Sequence, residues 1–239
     1  MVKSKYLLLR APIEGQRIKR TFLRHEVRSV LPLKYYDETL GLTGRRVLLA
    51  RVISRVVPAP FVNLYVTVIM SYFPPKSLGP YLSPLSIVLV CLVFMVVLPL
   101  SPIVFQAWRG KVDLDVSARE MRLRFFVFSL VCYTFAYVIY WLFQCSLMSV
   151  LAAAYFGVTL AVMISTLRTK VSVHAAGVGG PGTALLYVYG MLAVPVLVLW
   201  VAVVWARAYL KQHTLVQSVA GLAIGAIVTY FVYAFLYTS

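Results

Sequence analysis

Residues 168–217 read RTKVSVHAAGVGGPGTALLYVYGMLAVPVLVLWVAVVWARAYLKQHTLVQ, and this stretch decides the fold. Basic and imidazole side chains stand near both of its ends, and the residues between them are almost all apolar. Pro195 divides the apolar part into two pieces, each long enough to cross most of a bilayer. If the chain crosses and returns, His174 meets Arg207 and His213 on one side of the membrane. We therefore expect a polar site on that side.

The composition of the whole chain is typical of a polytopic membrane protein. Of 239 residues, 62% are hydrophobic, whereas soluble domains are roughly 45–50% apolar. Cys91, Cys132 and Cys145 lie in or beside apolar segments without a C-x-x-C pair, so the sequence indicates neither a disulfide framework nor a zinc site. The formal net charge is +16. Because charge in a membrane protein has to be interpreted by position, this sum does not indicate a nucleic-acid partner.

The chain after residue 57 divides into seven apolar segments, of which the first and the pair around Pro195 are short for membrane helices. The segments predict one helical domain over 58–239, an all-α polytopic membrane bundle of about six or seven transmembrane helices. In the last segment, Gly221-x-x-x-Gly225 permits close packing against another helix. The segments lie at 58–75, 85–107, 124–143, 147–167, 174–193, 195–210 and 215–237.

Residues 1–57 form a basic extension that carries 13 of the 23 Lys and Arg residues. The stretch IKRTFLRHEVRSVL (18–31) mixes apolar and basic positions at roughly helical spacing, which is typical of a helix lying on an anionic membrane face. An unstructured basic tail that only sets topology is the alternative. With seven crossings, the loop cations fall on the side of this extension, and Lys76 falls opposite. The positive-inside rule then predicts a multi-pass protein of the cell membrane with its N-terminus and site loops in the cytoplasm.

The first polar group is the loop WRGKVDLDVSAREMRLR (108–124), which carries five cations and three acids. Arg119 and Arg122 are three residues apart, so on a helix they share one face. Guanidinium groups suit bidentate contacts to phosphate oxygens, which makes this face a candidate phosphate site. An ordinary topogenic loop with internal salt bridges is the alternative.

The second polar group, KVSVH (170–174), opens the glycine-rich segment. Ser172 is placed to cap that helix, and the free N–H groups of the first turn favour an anion. The glycines that follow allow a neighbouring helix or a ligand to approach closely. A His at the mouth of a membrane helix is costly unless it is used, so His174 is a candidate functional residue, with a bland interfacial His as the alternative.

The third polar group is Arg207-x5-His213-x3-Gln217. Arg207 ends one helix and His213 begins the next, so the turn between them brings the two side chains together. A neutral imidazole is a competent nucleophile near pH 7, and His213 is therefore a candidate to attack phosphorus. Arg207 would stabilise the oxygens of the transferring phosphoryl group. For Gln217 a capping box with Thr214 is the alternative that needs no catalysis.

Together these stretches resemble the type 2 phosphatidic acid phosphatase superfamily of integral membrane phosphatases, whose members carry K-x6-R-P, P-S-G-H and S-R-x5-H-x3-D at one membrane face. Here VSVH (171–174) keeps the Ser and His of the second motif, and ARAYLKQHTLVQ (206–217) keeps R-x5-H of the third. The loop GKVDLDVSAREMR (110–122) resembles the D-x-D-x-x-x-R-x-x-R form of divergent prokaryotic branches. The resemblance extends over roughly residues 52–236.

This resemblance implies a phosphatase that uses neither metal nor cofactor and hydrolyses a phosphomonoester or diphosphate on a membrane lipid. A polyprenyl phosphate or diphosphate is the leading substrate, and phosphatidate is the next. By position, His213 would be the nucleophile that forms a phosphohistidine, His174 the general acid and Arg207 a phosphate clamp. The remaining phosphate-binding residues implied by the resemblance are Lys111, Arg119, Arg122, Lys170 and Ser172.

The sequence departs from the family pattern in three places. Lys111 and Arg119 do not have the K-x6-R-P spacing, and Val171 and Val173 replace the Pro and Gly of the second motif. Gln217 stands where the acid that orients the nucleophilic His is expected. It can fix the imidazole tautomer but adds no charge, and an Asp of the 113–115 loop is the alternative carboxylate. A catalytically inactive lipid- or anion-binding membrane protein or transporter is therefore the second class of function.

Overall fold

The computed structural model describes Leu33 and residues 35–237, and over these residues the chain is helical and contains no strand. The predicted all-α class is thus confirmed, and each of the seven apolar segments contains a helix. The helices are α1 Tyr36–Thr39, α2 Arg45–Val56, α3 Ala59–Tyr72, α4 Pro84–Val90, α5 Leu98–Trp108, α6 Arg119–Leu142, α7 Ser146–Thr166, α8 Val173–Tyr189, α9 Val196–Tyr209 and α10 Leu215–Leu236. A π-helix, Cys91–Val97, joins α4 to α5 without a break, and a 3-10 turn, Gly190–Ala193, follows α8.

Four helices of the described chain are long and apolar enough to cross a membrane. The pair α2 and α3, bent by 58° between them, makes a fifth span if it is counted as one. The prediction of about six or seven crossings is therefore not confirmed. The four are Pro84–Trp108, Glu120–Leu142, Ser146–Thr166 and Leu215–Leu236.

When α2 and α3 are counted as one span, the shortfall lies in the two helices on either side of Pro195. Gly190, with φ +58°, ends α8 after 17 residues, and Pro195 precedes the 14 residues of α9. At about 1.5 Å per residue these helices are roughly 26 and 21 Å long, against a hydrocarbon core of about 30 Å. The division at Pro195 agrees with the sequence, but it leaves two helices that are each too short to cross by this criterion.

Helix α8 lies at the centre of the bundle, where it contacts α3, α7, α9 and α10. A Cβ atom added at Gly221 would lie 2.4 Å from the carbonyl oxygen of Ser172, and one at Gly225 would lie 2.4 Å from that of Ala176. Such distances are far below van der Waals contact, so only glycine allows α10 to approach the α8 backbone this closely. The close packing predicted for Gly221-x-x-x-Gly225 is confirmed, and it occurs within one chain.

The last part of the basic extension packs against the bundle. Val47 and Ala50 of α2 form a buried apolar cluster with Ala206 and Leu210 of α9. This contact places α1 and α2 beside the end of α9 that carries Arg207. The stretch 18–31, for which the sequence predicts an interfacial helix, lies outside the described residues.

Candidate functional site

A group of polar side chains, here called the polar cluster, lies where the C-terminus of α9 meets the N-termini of α6, α8 and α10. The loop between α5 and α6 and the helices α1 and α2 also contribute to it. Its members share hydrogen bonds or act on each other electrostatically. They are Asp37, Arg51, Ser54, Asp115, Arg122, Lys170, His174, Arg207, Gln212 and His213.

Arg207 is the most deeply buried charge of the polar cluster, with 1% of its surface exposed. Its Nη1 donates to Oδ1 of Asp115 at 3.0 Å and to Oγ of Ser54 at 2.9 Å. Its Nε is buried and has no hydrogen-bond partner in the described part of the chain. A buried guanidinium group needs a counter-charge, which Asp115 supplies, and the Nε–H of Arg207 is left for a further acceptor.

Two carboxylates are bridged by one amide in this cluster. Nε2 of Gln212 donates to Oδ2 of Asp115 at 3.1 Å and to Oδ1 of Asp37 at 3.3 Å. Asp37 also accepts a hydrogen bond from Nε of Arg51 at 2.5 Å, and it is 2% exposed. This network ties α1 and α2 to the turn between α9 and α10.

The two acids of the D-x-D loop have different tasks. Asp113 accepts hydrogen bonds from the backbone N–H of Asp115 at 2.9 Å and from that of Ser117 at 3.1 Å, which is the pattern of a local Asx-type turn. Asp115 instead reaches across to Arg207 and Gln212. In the D-x-D pattern, the first acid, Asp113, therefore forms the turn, and the second, Asp115, forms the ion pair.

Arg122 and Lys170 add positive charge to the polar cluster. Arg122 is 4% exposed, and it donates from Nε to the carbonyl oxygen of Val116 at 2.7 Å and from Nη1 to that of Val171 at 3.4 Å. No ion pair joins it to an acid among residues 35–237. Burial and the nearby Arg122 charge lower the pKa of the half-buried Lys170. The two cations lie close enough to repel each other, and an anion between them would be favoured.

His213 lies on the turn after α9 and is 6% exposed. Burial, together with the charges of Arg207, Arg122 and Lys170, lowers its pKa to about 3. The imidazole is therefore neutral at pH 7, which is the form that acts as a nucleophile. Its Nδ1 is buried and has no partner within the described chain. His174, half-buried in the first turn of α8, is among the groups that act on His213.

Ser172 and Gln217 cap helices. Ser172 Oγ accepts from the backbone N–H of Ala175 at 3.3 Å, as predicted for the start of α8. Gln217 Oε1 accepts from the backbone N–H of Thr214 at 3.1 Å, and Thr214 Oγ1 accepts from that of Gln217 at 3.2 Å. This is the capping box that the sequence offered as the alternative for Gln217. Gln217 Oε1 therefore acts at the N-terminus of α10 and accepts no hydrogen bond from His213.

The remaining predicted phosphate-binding residues do not join these contacts. Lys111 is exposed on the loop after α5, and its side chain takes no part in the hydrogen bonds of the polar cluster. Arg119 begins α6, but its side chain lies outside the described part of the structure.

Sequence reasoning missed four members of the polar cluster, namely Asp37, Arg51, Ser54 and Gln212. Asp37 carried a usable signal, because it is one of only four acids in an extension that carries 13 basic residues, and such an acid is a candidate ion-pair partner. Gln212 stands next to His213, but a Gln at this position matches no functional motif. Ser54 has no distinguishing pattern on an amphipathic helix.

The balance of charge in this region favours an anion. Arg51, Arg122, Lys170 and Arg207 face the carboxylates of Asp37, Asp115 and the nearby Asp113, which leaves an excess of positive charge. Within the described residues, no group of three or more His, Cys, Asp or Glu side chains is arranged to hold a metal ion.

Comparison of the chain with protein families, with curated proteins and with solved structures gave no match.

Proposed function

We propose that the protein is an integral membrane phosphatase that hydrolyses a phosphomonoester or diphosphate on a lipid through a phosphohistidine at His213. A polyprenyl phosphate or diphosphate is the leading substrate, and phosphatidate is the next. One observation carries this proposal. A neutral, buried imidazole lies amid Arg122, Lys170 and Arg207, while His213 Nδ1 and Arg207 Nε have no partner among the described residues.

The substrate phosphate would bind between the cations. Arg207 offers Nε, and Lys170 and Arg122 supply charge that the carboxylates of the cluster do not fully neutralise. Cations held in a dry site stabilise charge on a phosphoryl group far better than they do in water. Asp115 is a positioning residue in this scheme, because it fixes Arg207 through the 3.0 Å ion pair.

The reaction takes two steps. In the first, the unprotonated ring nitrogen of His213 attacks phosphorus, an N–P bond forms, and the P–O bond to the leaving alcohol or phosphate breaks. Burial and the charges of Arg207 and Arg122 lower the pKa of His174 in the ligand-free protein, so His174 takes up a proton when the phosphate anion binds beside it, and it then gives that proton to the departing oxygen. In the second step water attacks phosphorus and loses a proton to His174, the N–P bond breaks, and inorganic phosphate leaves. The site loops would face the cytoplasm of a cell-membrane protein, as the distribution of basic residues favours.

One observation favours the second candidate, a lipid- or anion-binding membrane protein or transporter without turnover. Gln217 is engaged in the capping box of α10, and Asp115 is engaged with Arg207 and Gln212. Neither residue accepts a hydrogen bond from His213. A nucleophile without a carboxylate to orient it loses much of its rate.

The test is release of phosphate in detergent with EDTA, from farnesyl diphosphate and from a short-chain phosphatidate. We expect release by the wild type and a loss of at least about 1000-fold in His213→Ala, since the nucleophile forms the covalent intermediate. Lys211→Ala, on the same turn but exposed, is the matched control and should retain activity.

Equal release by wild type and His213→Ala would overturn the phosphohistidine. A folded wild type that releases no phosphate from either lipid would favour the binding protein. In that case a rise in Tm with added lipid phosphate, lost in His213→Ala, would measure the binding itself.

A further inference from the structure

We propose that an apolar groove between α8, α9 and α10 holds the hydrocarbon chain of the lipid whose phosphate binds at the polar cluster. The inference rests on the proposed function for the phosphate end and adds a site for the chain. The groove has a volume of about 460 Å³, which lies within the range of small-molecule sites. Its walls include Leu186, Tyr187, Trp200, Ile227, Tyr230 and Phe231.

The groove and the polar cluster lie along the same three helices. Trp200 stands seven residues before Arg207 on α9, and Tyr187 stands thirteen residues after His174 on α8. With a rise of about 1.5 Å per residue, Trp200 and Tyr187 lie roughly 10 and 20 Å along their helices from the polar cluster. A lipid with its phosphate at His213 can therefore place its chain in the groove without leaving these helices.

Two polar side chains of the groove walls have hydrogen-bond partners within the protein. Trp200 Nε1 donates to the carbonyl oxygen of Val178 at 3.0 Å, and Thr183 Oγ1 donates to that of Gly179 at 2.8 Å. The surface that remains for a ligand is apolar and aromatic. Such a mostly apolar surface suits a hydrocarbon chain better than a charged head group.

Two contacts shape the groove before any ligand enters. A Cβ atom at Gly182 would lie 2.4 Å from Trp200 Nε1, so the glycine makes room for the indole against α8. The ring of Tyr187 lies edge-on to Tyr230 with centroids 6.0 Å apart. Preformed walls lower the entropic cost of binding.

The first experiment narrows the groove. Ala226 lines it on α10, and Ala226→Trp should raise the KM for farnesyl diphosphate at least about tenfold, because the new side chain takes the place of the substrate chain. Dimethylallyl diphosphate has the same head group and is too short to reach the groove, so its KM should not change. Ala223→Trp, at an exposed position of α10 outside the groove, is the matched control. An equal effect on both substrates, or no effect on either, would overturn the inference.

The second experiment does not need turnover. The wild type is labelled by a long-chain alkyl phosphate that carries a diazirine near the chain end, and the labelled residues are mapped by mass spectrometry. Labelling of Leu186 and Ile227 that the matching alkyl alcohol does not give supports the inference. Equal labelling by the alcohol, or labels spread over the lipid-facing helices, would show ordinary boundary lipid and overturn it. If the protein releases no phosphate but this labelling is specific, the proposed phosphatase activity is refuted and the proposed binding site for the hydrocarbon chain is supported.

Discussion

The polar cluster and the middle of the bundle both bury polar side chains, but they bury different kinds. Among residues 35–237, the fully buried charges of Asp37, Arg122 and Arg207 all belong to the polar cluster. In the middle of the bundle the buried polar groups are amides and hydroxyls. Asn63 Nδ2 donates to the carbonyl oxygen of Met95 at 3.2 Å, and Thr67 Oγ1 donates to Cys91 Sγ at 3.2 Å.

This difference indicates that the neutral polar groups in the middle of the bundle serve packing, whereas the charges of the polar cluster serve binding. The partners of Asn63 and Thr67 lie on the π-helix between α4 and α5, so these neutral groups tie α3 to an irregular part of its neighbour. A neutral hydrogen bond contributes about 1 kcal/mol, whereas each buried ion costs several kcal/mol to desolvate. Packing therefore explains the hydrogen bonds of Asn63 and Thr67. The polar cluster retains charges whose cost is offset only by partners or by a bound anion.

Arg207→Leu gives the largest expected difference between the two regions. The change leaves Asp115 buried without its counter-charge, and the free energy of unfolding should fall by about 3–5 kcal/mol. Thr67→Val, in the middle of the bundle, should cost only about 1 kcal/mol, because it removes one neutral hydrogen bond and keeps the shape. Unfolding in detergent followed by circular dichroism measures both. Equal losses would show that the charges of the polar cluster are no more critical than the hydroxyls.

The pH dependence of stability sharpens the comparison. His213 has its pKa lowered to about 3 in the folded chain, against about 6.5 unfolded. Its contribution is complete above about pH 6.5 and is lost as the pH falls toward 3, because the unfolded chain binds the proton first. The slope should approach about 1.4 kcal/mol per pH unit in this window. In unfolding measured from pH 7 to 4, His213→Gln should reduce this slope. An unchanged slope would mean that His213 titrates normally.

Gln217→Ala should have the smallest effect. Loss of the capping box should lower the free energy of unfolding by about 1 kcal/mol. The kcat for farnesyl diphosphate should stay within about twofold of wild type, because the Gln217 oxygen caps α10 and does not contact His213. Both the stability and the kcat are measured on the same preparation. A large loss of kcat with unchanged KM would instead assign Gln217 to the orientation of His213.

Local features of the chain were predictable where neighbours in sequence are neighbours in space. The Ser172 cap and the Thr214–Gln217 capping box involve residues three apart, so the pattern contains the whole interaction. Pro195 was identified as the division between α8 and α9 for the same reason. The number of crossings was not predictable from the apolar run lengths, because α8 ends at Gly190 and α9 begins only after Pro195, which leaves both helices too short.

By itself the sequence determined an all-α, membrane-type chain and the meeting of Arg207, His174 and His213 at one end, because apolar run lengths and helix caps are local properties. Only the tertiary structure decided which carboxylates serve the polar cluster. Asp115 and Arg207 are 92 residues apart, and Asp37 and Gln212 are 175 apart. Such pairs form only after α1, α2 and the α5–α6 loop pack against α9, and no local pattern records that packing.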